Sequence, residues 1–123
     1  MNKKNYPWSN PVRKTNHYHV YEDKYPVTEG HLLFVPIEDH IVFLDKCLIG
    51  AYNQGQIWIK EGFCDGFNIG MNIGEHAGQT VMYPHMHLIP RREGDLGRFE
   101  NGTPYDPAGG VRNVIPEKGN YKL

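Results

Sequence analysis

Residues 72–92 read NIGEHAGQTVMYPHMHLIPRR, and this stretch decides the fold predicted for the chain. Within it, Tyr83, His85 and His87 lie two residues apart. Side chains with this spacing share one face of a strand, so the three rings are expected to point together. Met86 falls on the opposite face and is expected to enter the core. The stretch therefore predicts a strand with reactive side chains on one face and packing side chains on the other.

The groups that precede this strand favour phosphorus chemistry. A histidine such as His85, with one ring nitrogen held by a backbone carbonyl, offers the other nitrogen as a base, a metal ligand or a nucleophile. Thr80, Gln79 and the backbone amides freed by Gly74 and Gly78 are donors of the kind that hold a phosphate without net positive charge. The His-x-His spacing alone would equally suit a metal pair, so it does not by itself choose the function.

Length and composition predict one globular domain. The chain has 123 residues, which is enough for one domain with a core and too few for two ordinary ones. Residues 1–16 hold two prolines and many Asn and Lys, which predicts an irregular arm in which Trp8 packs on another surface, such as a subunit neighbour. Residues 17–123 are predicted to form the domain, with a C-terminal tail at 109–123.

Charge and motif content exclude several classes of partner. The net charge of -1 gives no electrostatic reason to expect nucleic acid or an anionic membrane. No stretch approaches the ~20 apolar residues that span a bilayer, and residues 1–10 lack the apolar core of a secretory signal. Cys47 and Cys64 form no C-x-x-C motif, which predicts two buried, reduced thiols. A cytoplasmic protein is the resulting interpretation.

Periodicity along the chain predicts an α+β fold. Apolar residues recur at spacings of three and four over residues 40–60, which predicts one long amphipathic helix with Asp39 as its N-cap. Gly50 and Gly55 lower the intrinsic propensity of this helix, so it is expected to depend on tertiary packing. Alternating apolar positions predict three further strands, at 17–21, 31–35 and 63–73.

Several separated motifs together resemble the histidine triad (HIT) family of nucleotide hydrolases and transferases. The segments that carry the resemblance are, in chain order, YEDKYPVTEGHLLFVP, NIGEHAGQT, GQTV followed by HMHLIPR, and GGVRNVIPEKGNY. They cover roughly residues 18–121. The resemblance implies an antiparallel sheet of about five strands, one long helix, a short second helix and a homodimer.

The resemblance also implies a role for each site residue. The family has three alternating histidines, and here Tyr83 takes the first position; its main-chain carbonyl can still fix the tautomer of His85. The implied roles are His85 as nucleophile, His87 and Gln79 as phosphate contacts, Thr80 as a hydroxyl near the leaving group, Asn72 and Gly78 on the phosphate side, Asp23 on the ribose hydroxyls and His31 behind them.

The implied activity is hydrolysis of a purine nucleotide substrate. The nucleotide would be a diadenosine polyphosphate or another AMP conjugate, and a nucleotidyl-histidine would form before the nucleoside monophosphate leaves. No cofactor and no metal are expected, since the family's structural zinc uses cysteines near the N-terminus and this chain has none there. Tyr83 is expected to alter rate or substrate preference.

Two alternatives remain. The first is a HIT protein that binds nucleotides without catalysis. The second is a metal-binding barrel of cupin type, because Gly78, His85, His87 and Glu93 imitate the ligand pattern of that class. The spacing between His87 and Glu93 is too long for the pattern, and a long mid-chain helix does not fit an all-β barrel.

Overall fold

The computed structural model describes residues 6–122, in which a five-stranded antiparallel sheet carries one long helix. The strands are β1 (Arg13–Lys14), β2 (Tyr18–Glu22), β3 (Leu32–Pro36), β4 (Gly66–Gly70) and β5 (Met86–Arg91), and the helix is α1 (Ile41–Lys60). The order across the sheet is β1-β2-β3-β5-β4. Short 3₁₀ helices at Glu75–Ala77 and Gly110–Val114 complete the regular structure. The predicted α+β architecture is confirmed.

The strand predicted at 63–73 covers only Gly66–Gly70, and the other predicted boundaries need three corrections. The arm is not wholly irregular, because Arg13 and Lys14 pair with β2. The histidine strand begins at Met86 rather than at Tyr83, since the intervening Pro84 has no N–H to give to a ladder. Residues 1–5 of the predicted arm and residue 123 lie outside the described residues.

The third correction concerns the start of α1. The N-cap is His40 and not Asp39: His40 has extended backbone angles, and its Nδ1 accepts from the Val42 amide at 3.2 Å. An imidazole thus takes the capping role that the sequence had suggested for the neighbouring carboxylate. The helix begins at Ile41, so the N-cap position falls on His40, one residue after Asp39.

The helix covers one face of the sheet. Its buried residues Cys47 and Ala51 pack against apolar side chains of three strands, namely Val20, Phe34, Met86 and Leu88. Both cysteines are unpaired and buried, as predicted. Met86 and Leu88 therefore lie on the core side of β5, which confirms the predicted orientation of Met86 and leaves His87 on the other face.

The opposite face carries a second cluster of buried side chains, made of Tyr21, Leu33, Val35 and Tyr83. Tyr6 and Trp8 of the arm pack over it. The arm, the β2–β3 hairpin and the segment before β5 thus converge on the side of the sheet that α1 leaves uncovered. No helix within residues 6–122 is long and apolar enough to cross a membrane.

Candidate active site

A cavity of about 590 Å³ opens where these segments meet, a size typical of small-molecule sites. Seven of the nine predicted site residues line it. They are Asp23, Asn72, Gly78, Gln79, Thr80, His85 and His87. The other two, His31 and Tyr83, are buried directly behind this lining.

His85 is held by its own main chain. Its Nδ1 lies 2.8 Å from the carbonyl oxygen of Tyr83. A carbonyl only accepts, so Nδ1 carries the proton and donates it. In the neutral ring, Nε2 then holds a lone pair on the opposite side, and His85 can present a nitrogen nucleophile to the cavity.

His87 is held in the opposite tautomer. The Val27 amide donates to Nδ1 of His31 at 3.2 Å, so the proton of His31 is on Nε2. That Nε2 lies 2.9 Å from Nδ1 of His87, which must therefore accept. The proton of His87 is left on Nε2, and this ring offers a donor where His85 offers a lone pair.

Burial keeps both of these supporting rings neutral. It lowers the pKa of His87 to about 4, together with the neighbouring His31 and His85, while Asp23 opposes the shift. Burial also lowers the pKa of His31, again against the pull of Asp23. The 3.3 Å contact between His31 Nε2 and Asp23 Oδ2 is therefore a contact of a neutral imidazole near pH 7 and not a salt bridge.

The two cavity histidines together form a nucleophile beside a neutral donor. Their ring centroids are 5.3 Å apart. A phosphorus atom approached by the lone pair of His85 would bring its oxygens towards the N–H of His87. This arrangement suits nucleophilic substitution at phosphorus.

The loop before β5 was predicted to supply hydrogen-bond donors to a phosphate. Most of these donors are instead bonded within the loop itself. Gln79 Oε1 accepts from the Gly74 amide at 2.8 Å, and its Nε2 donates to the carbonyls of Val81 and Met82 at 3.1 and 3.2 Å. The Gly78 amide donates to Glu75. The amides of Gly74 and Gly78 are thus not free donors, and Gln79 braces the loop from which Thr80 lines the cavity.

Tyr83 does not share the cavity with the histidines. Its side chain is 5% exposed, and its hydroxyl donates to the carbonyl of Pro36 at 2.7 Å. The expectation that all three rings point to one reactive surface is therefore wrong for Tyr83. Its ring belongs to the buried cluster beneath the arm.

The sequence interpretation missed the arm as part of the site. Trp8 lines the cavity, with its ring centroid 5.0 Å from that of His85. The Tyr6 and Tyr21 hydroxyls are hydrogen-bonded at 2.6 Å and fasten the arm to β2. Trp8 thus packs on its own chain, and the only sequence signal was an aromatic residue in a polar segment.

Asp23, His31 and His87 also form a cluster that could hold a metal ion. One potential ligand atom from each lies within 4.8 Å of the other two. Asp23 Oδ1 already accepts from the Tyr25 amide at 2.8 Å, and the hydrogen bond from His31 Nε2 to His87 Nδ1 accounts for the close approach of the two imidazoles. That the active site needs no metal ion stays a prediction.

Fold and site define a class of α+β protein in which a histidine-bearing strand faces a cavity large enough for a small molecule. Comparisons with known proteins identify the family. The model of the HIT domain matches residues 8–94. An uncharacterised HIT-like protein of Methanocaldococcus jannaschii is 36% identical over 91 residues, covering 62% of this chain and 70% of that protein. The fusion protein of nitrilase and fragile histidine triad, NitFhit, of Caenorhabditis elegans is 31% identical over 104 residues, covering 78% of this chain and 23% of that protein.

Similar solved structures belong to the same family. A HIT family protein of Bacillus anthracis has a TM-score of 0.59 at 30% identity, covering 69% of this chain and 65% of that one. A Zn-bound histidine triad family protein of Mycobacterium smegmatis has a TM-score of 0.56 at 30% identity, covering 79% and 73%. The chain belongs to the HIT family, whose members bind nucleotides and are generally nucleotide hydrolases or transferases.

Proposed function

We propose that the protein hydrolyses AMP conjugates and releases a nucleoside monophosphate through a nucleotidyl-histidine intermediate. The observation that carries the proposal is the 2.8 Å hydrogen bond from His85 Nδ1 to the Tyr83 carbonyl. In the neutral ring this hydrogen bond fixes the proton on Nδ1 and the lone pair on Nε2, so the attack does not require a general base. A homodimer in the cytoplasm, acting on a purine nucleotide, belongs to the same proposal.

The reaction has two displacements. In the first, His85 Nε2 attacks the α-phosphorus, an N–P bond forms, and the bond to the leaving group breaks with its electron pair on the leaving atom, which takes a proton from solvent. In the second, a water oxygen attacks the same phosphorus, the N–P bond breaks, and the proton of the water passes to solvent. His85 is regenerated with its Nδ1 proton in place.

His87 and Asp23 would orient the nucleotide. The Nε2–H of His87 would donate to a non-bridging phosphoryl oxygen, and loss of one such donor typically costs ~3 kcal/mol in the transition state. Asp23 lines the same cavity, and each carboxylate oxygen has lone pairs beyond those used by Tyr25 and His31. Asp23 would therefore accept hydrogen bonds from the ribose hydroxyls.

Charge in the cavity favours an uncharged or cationic leaving group over a polyphosphate. Among the described lining residues, the charged side chains are Glu22, Asp23 and Lys24. One lysine beside two carboxylates gives no cationic partner for several further phosphates. An amine joined to AMP by a P–N bond therefore fits this lining better than a diadenosine polyphosphate does.

The test compares these two substrates, each with and without a chelator. We expect faster turnover of an AMP–arylamine than of a diadenosine polyphosphate, and no loss of turnover in the chelator. Mass spectrometry of the acid-sensitive intermediate, quenched in base, should find one nucleotidyl group on the peptide that holds His85. Loss of turnover in chelator would favour a metal site at Asp23, His31 and His87.

The decisive variant is His85→Ala. It should abolish turnover and trapping while AMP still binds, because the ribose and phosphate contacts remain. The matched control is His76→Ala, which removes an exposed histidine that does not line the cavity. An active His85→Ala protein would disprove the nucleophile assignment, and AMP binding by a wild type without turnover would favour the nucleotide-binding alternative.

A further inference from the structure

Tyr83 touches the nucleophile through its main chain and the sheet through its side chain. Its carbonyl accepts from His85 Nδ1 at 2.8 Å. Its hydroxyl donates to the carbonyl of Pro36 at 2.7 Å and lies 3.1 Å from that of Ile37. One residue thus connects the atom that fixes the tautomer of His85 to the end of β3.

We propose that Tyr83 is a positioning residue for His85, with its phenol as the anchor of the carbonyl that holds the ring. The proposal rests on the proposed function for its catalytic consequence. It rests on the geometry alone for its effect on the tautomer of His85.

The backbone at position 83 needs an anchor of this kind. β5 begins at Met86, so the peptide of Tyr83 lies outside the hydrogen-bond ladder of the sheet. Pro84 follows it and has no N–H with which to tie the segment down. The hydroxyl of Tyr83 therefore connects this segment to the end of β3.

The other end of the anchor is rigid. Pro36 is fully buried, and it closes β3 opposite Tyr18 of β2. Burial raises the pKa of the Tyr83 phenol to about 12, so the hydroxyl keeps its proton and remains a donor throughout the neutral range. A fixed acceptor and a permanent donor hold the carbonyl of Tyr83 in one place.

The ring and the hydroxyl of Tyr83 have separate functions. The ring packs edge-on against Tyr6 at 4.9 Å and lies 6.2 Å from Trp8, so it also supports the arm. Tyr83→Phe keeps this packing and removes only the hydroxyl. Tyr83→His removes both, because an imidazole is shorter than a phenol and leaves the carbonyl of Pro36 out of reach.

The direct test is nitrogen-15 NMR of the histidine side chains in the substrate-free protein. In the wild type, His85 should be protonated on Nδ1. In Tyr83→Phe, the ratio of the Nε2-protonated to the Nδ1-protonated form should rise about five-fold, as expected for the loss of one neutral hydrogen bond. Tyr105→Phe is the matched control, since it removes a tyrosine hydroxyl outside the cavity and should leave His85 unchanged.

Kinetics supply the second readout. Because a neutral hydrogen bond is worth roughly 1 kcal/mol, Tyr83→Phe should lower kcat about five-fold and leave KM within about two-fold. Tyr83→His should lower kcat at least as much. If the Tyr83 hydroxyl had only a structural role, Tyr83→Phe would reduce the amount of folded protein, and the folded fraction would keep the kcat of the wild type.

Two results would overturn the proposal. One is a wild-type His85 that carries its proton mainly on Nε2, which needs no variant to measure. The other is a folded Tyr83→Phe protein with unchanged His85 tautomer and unchanged kcat. A wild type that turns over no nucleotide would reject the proposed function and leave the NMR test of Tyr83 standing.

Discussion

At the scale of single residues, the hydrogen-bond partner of Nδ1 determines whether a histidine offers a lone pair or an N–H group at Nε2. His85 donates a hydrogen bond from Nδ1 to a carbonyl, whereas His87 accepts one at Nδ1 from His31. Two identical side chains, two residues apart, thereby offer a lone pair and a donor. The difference originates at Val27, whose amide fixes the tautomer of His31.

Trp8 should determine how tightly the site holds a nucleotide. Its indole contacts His85 and forms one wall of the cavity. Removing this aromatic wall in Trp8→Ala should weaken AMP binding roughly three- to ten-fold, the usual worth of one aromatic contact. Trp8→Phe keeps a ring there and should recover most of the affinity. Calorimetric titration with AMP checks both, and equal affinity of all three proteins would contradict the prediction.

His87 in the cavity lining and His31 behind it, both neutral near pH 7, should make the protein less stable in acid. The pKa of His87 is about 4 in the folded chain against an ordinary 6.5, and that of His31 is also lowered. The unfolded chain therefore binds more protons, and stability falls as the pH drops from about 6.5 towards 4. For His87 the loss would be roughly 3 kcal/mol at most.

Urea unfolding at pH 7 and pH 4.5 measures this effect. The His87→Gln variant lacks the titrating ring, so its stability should change less over this interval than that of the wild type. An equal change in both proteins would show that other groups cause the acid sensitivity.

At the scale of elements, the glycines of α1 mark where the helix touches the sheet. A Cβ on Gly55 would meet the ring of Phe67, and one on Gly50 would meet Tyr18. A helical Gly→Ala change normally stabilises by about 1 kcal/mol. Gly55→Ala should instead lower the free energy of unfolding by about 1–3 kcal/mol, because overpacking displaces β4.

The control for this substitution is Asn53→Ala, at an exposed position of the same helix. There only helix propensity changes, so stability should rise slightly. Chemical denaturation of the three proteins compares them directly. A Gly55→Ala protein more stable than the wild type would show that α1 does not approach β4 so closely.

The helix and strands could be predicted from the sequence because their hydrophobic patterns are local. Much of the site could not, because it depends on loop conformation and long-range contacts. The periodicity of residues 40–60 and the alternation around Met86 depend only on which side chains face the core. The tie of Gln79 to its own loop depends on a loop conformation with positive φ at Gly74 and Gly78, which composition does not specify. The place of Trp8 depends on the return of the arm to β2, a long-range contact without a periodic pattern.

At the scale of the whole molecule, one side of α1 remains apolar and exposed. Leu48, Tyr52 and Ile59 are 46%, 53% and 39% exposed and recur at spacings of four and seven, so they share a face. The Tyr52 ring contacts Phe67 of β4, the strand at the end of the sheet. This face, together with the edge of β4, is the surface on which we place the proposed homodimer.

Light scattering coupled to gel filtration should therefore give about twice the chain mass of 14.2 kDa. Tyr52→Glu should yield a folded monomer, because dimerisation would bury an unpaired charge. Ile57→Glu is the matched control: Ile57 is 48% exposed, but it lies about 140° around the helix from Tyr52. It should leave the dimer intact. A monomeric wild type would disprove the homodimer. A dimeric Tyr52→Glu would remove α1 from the interface, because a glutamate at the centre of that face could not be accommodated without loss of association.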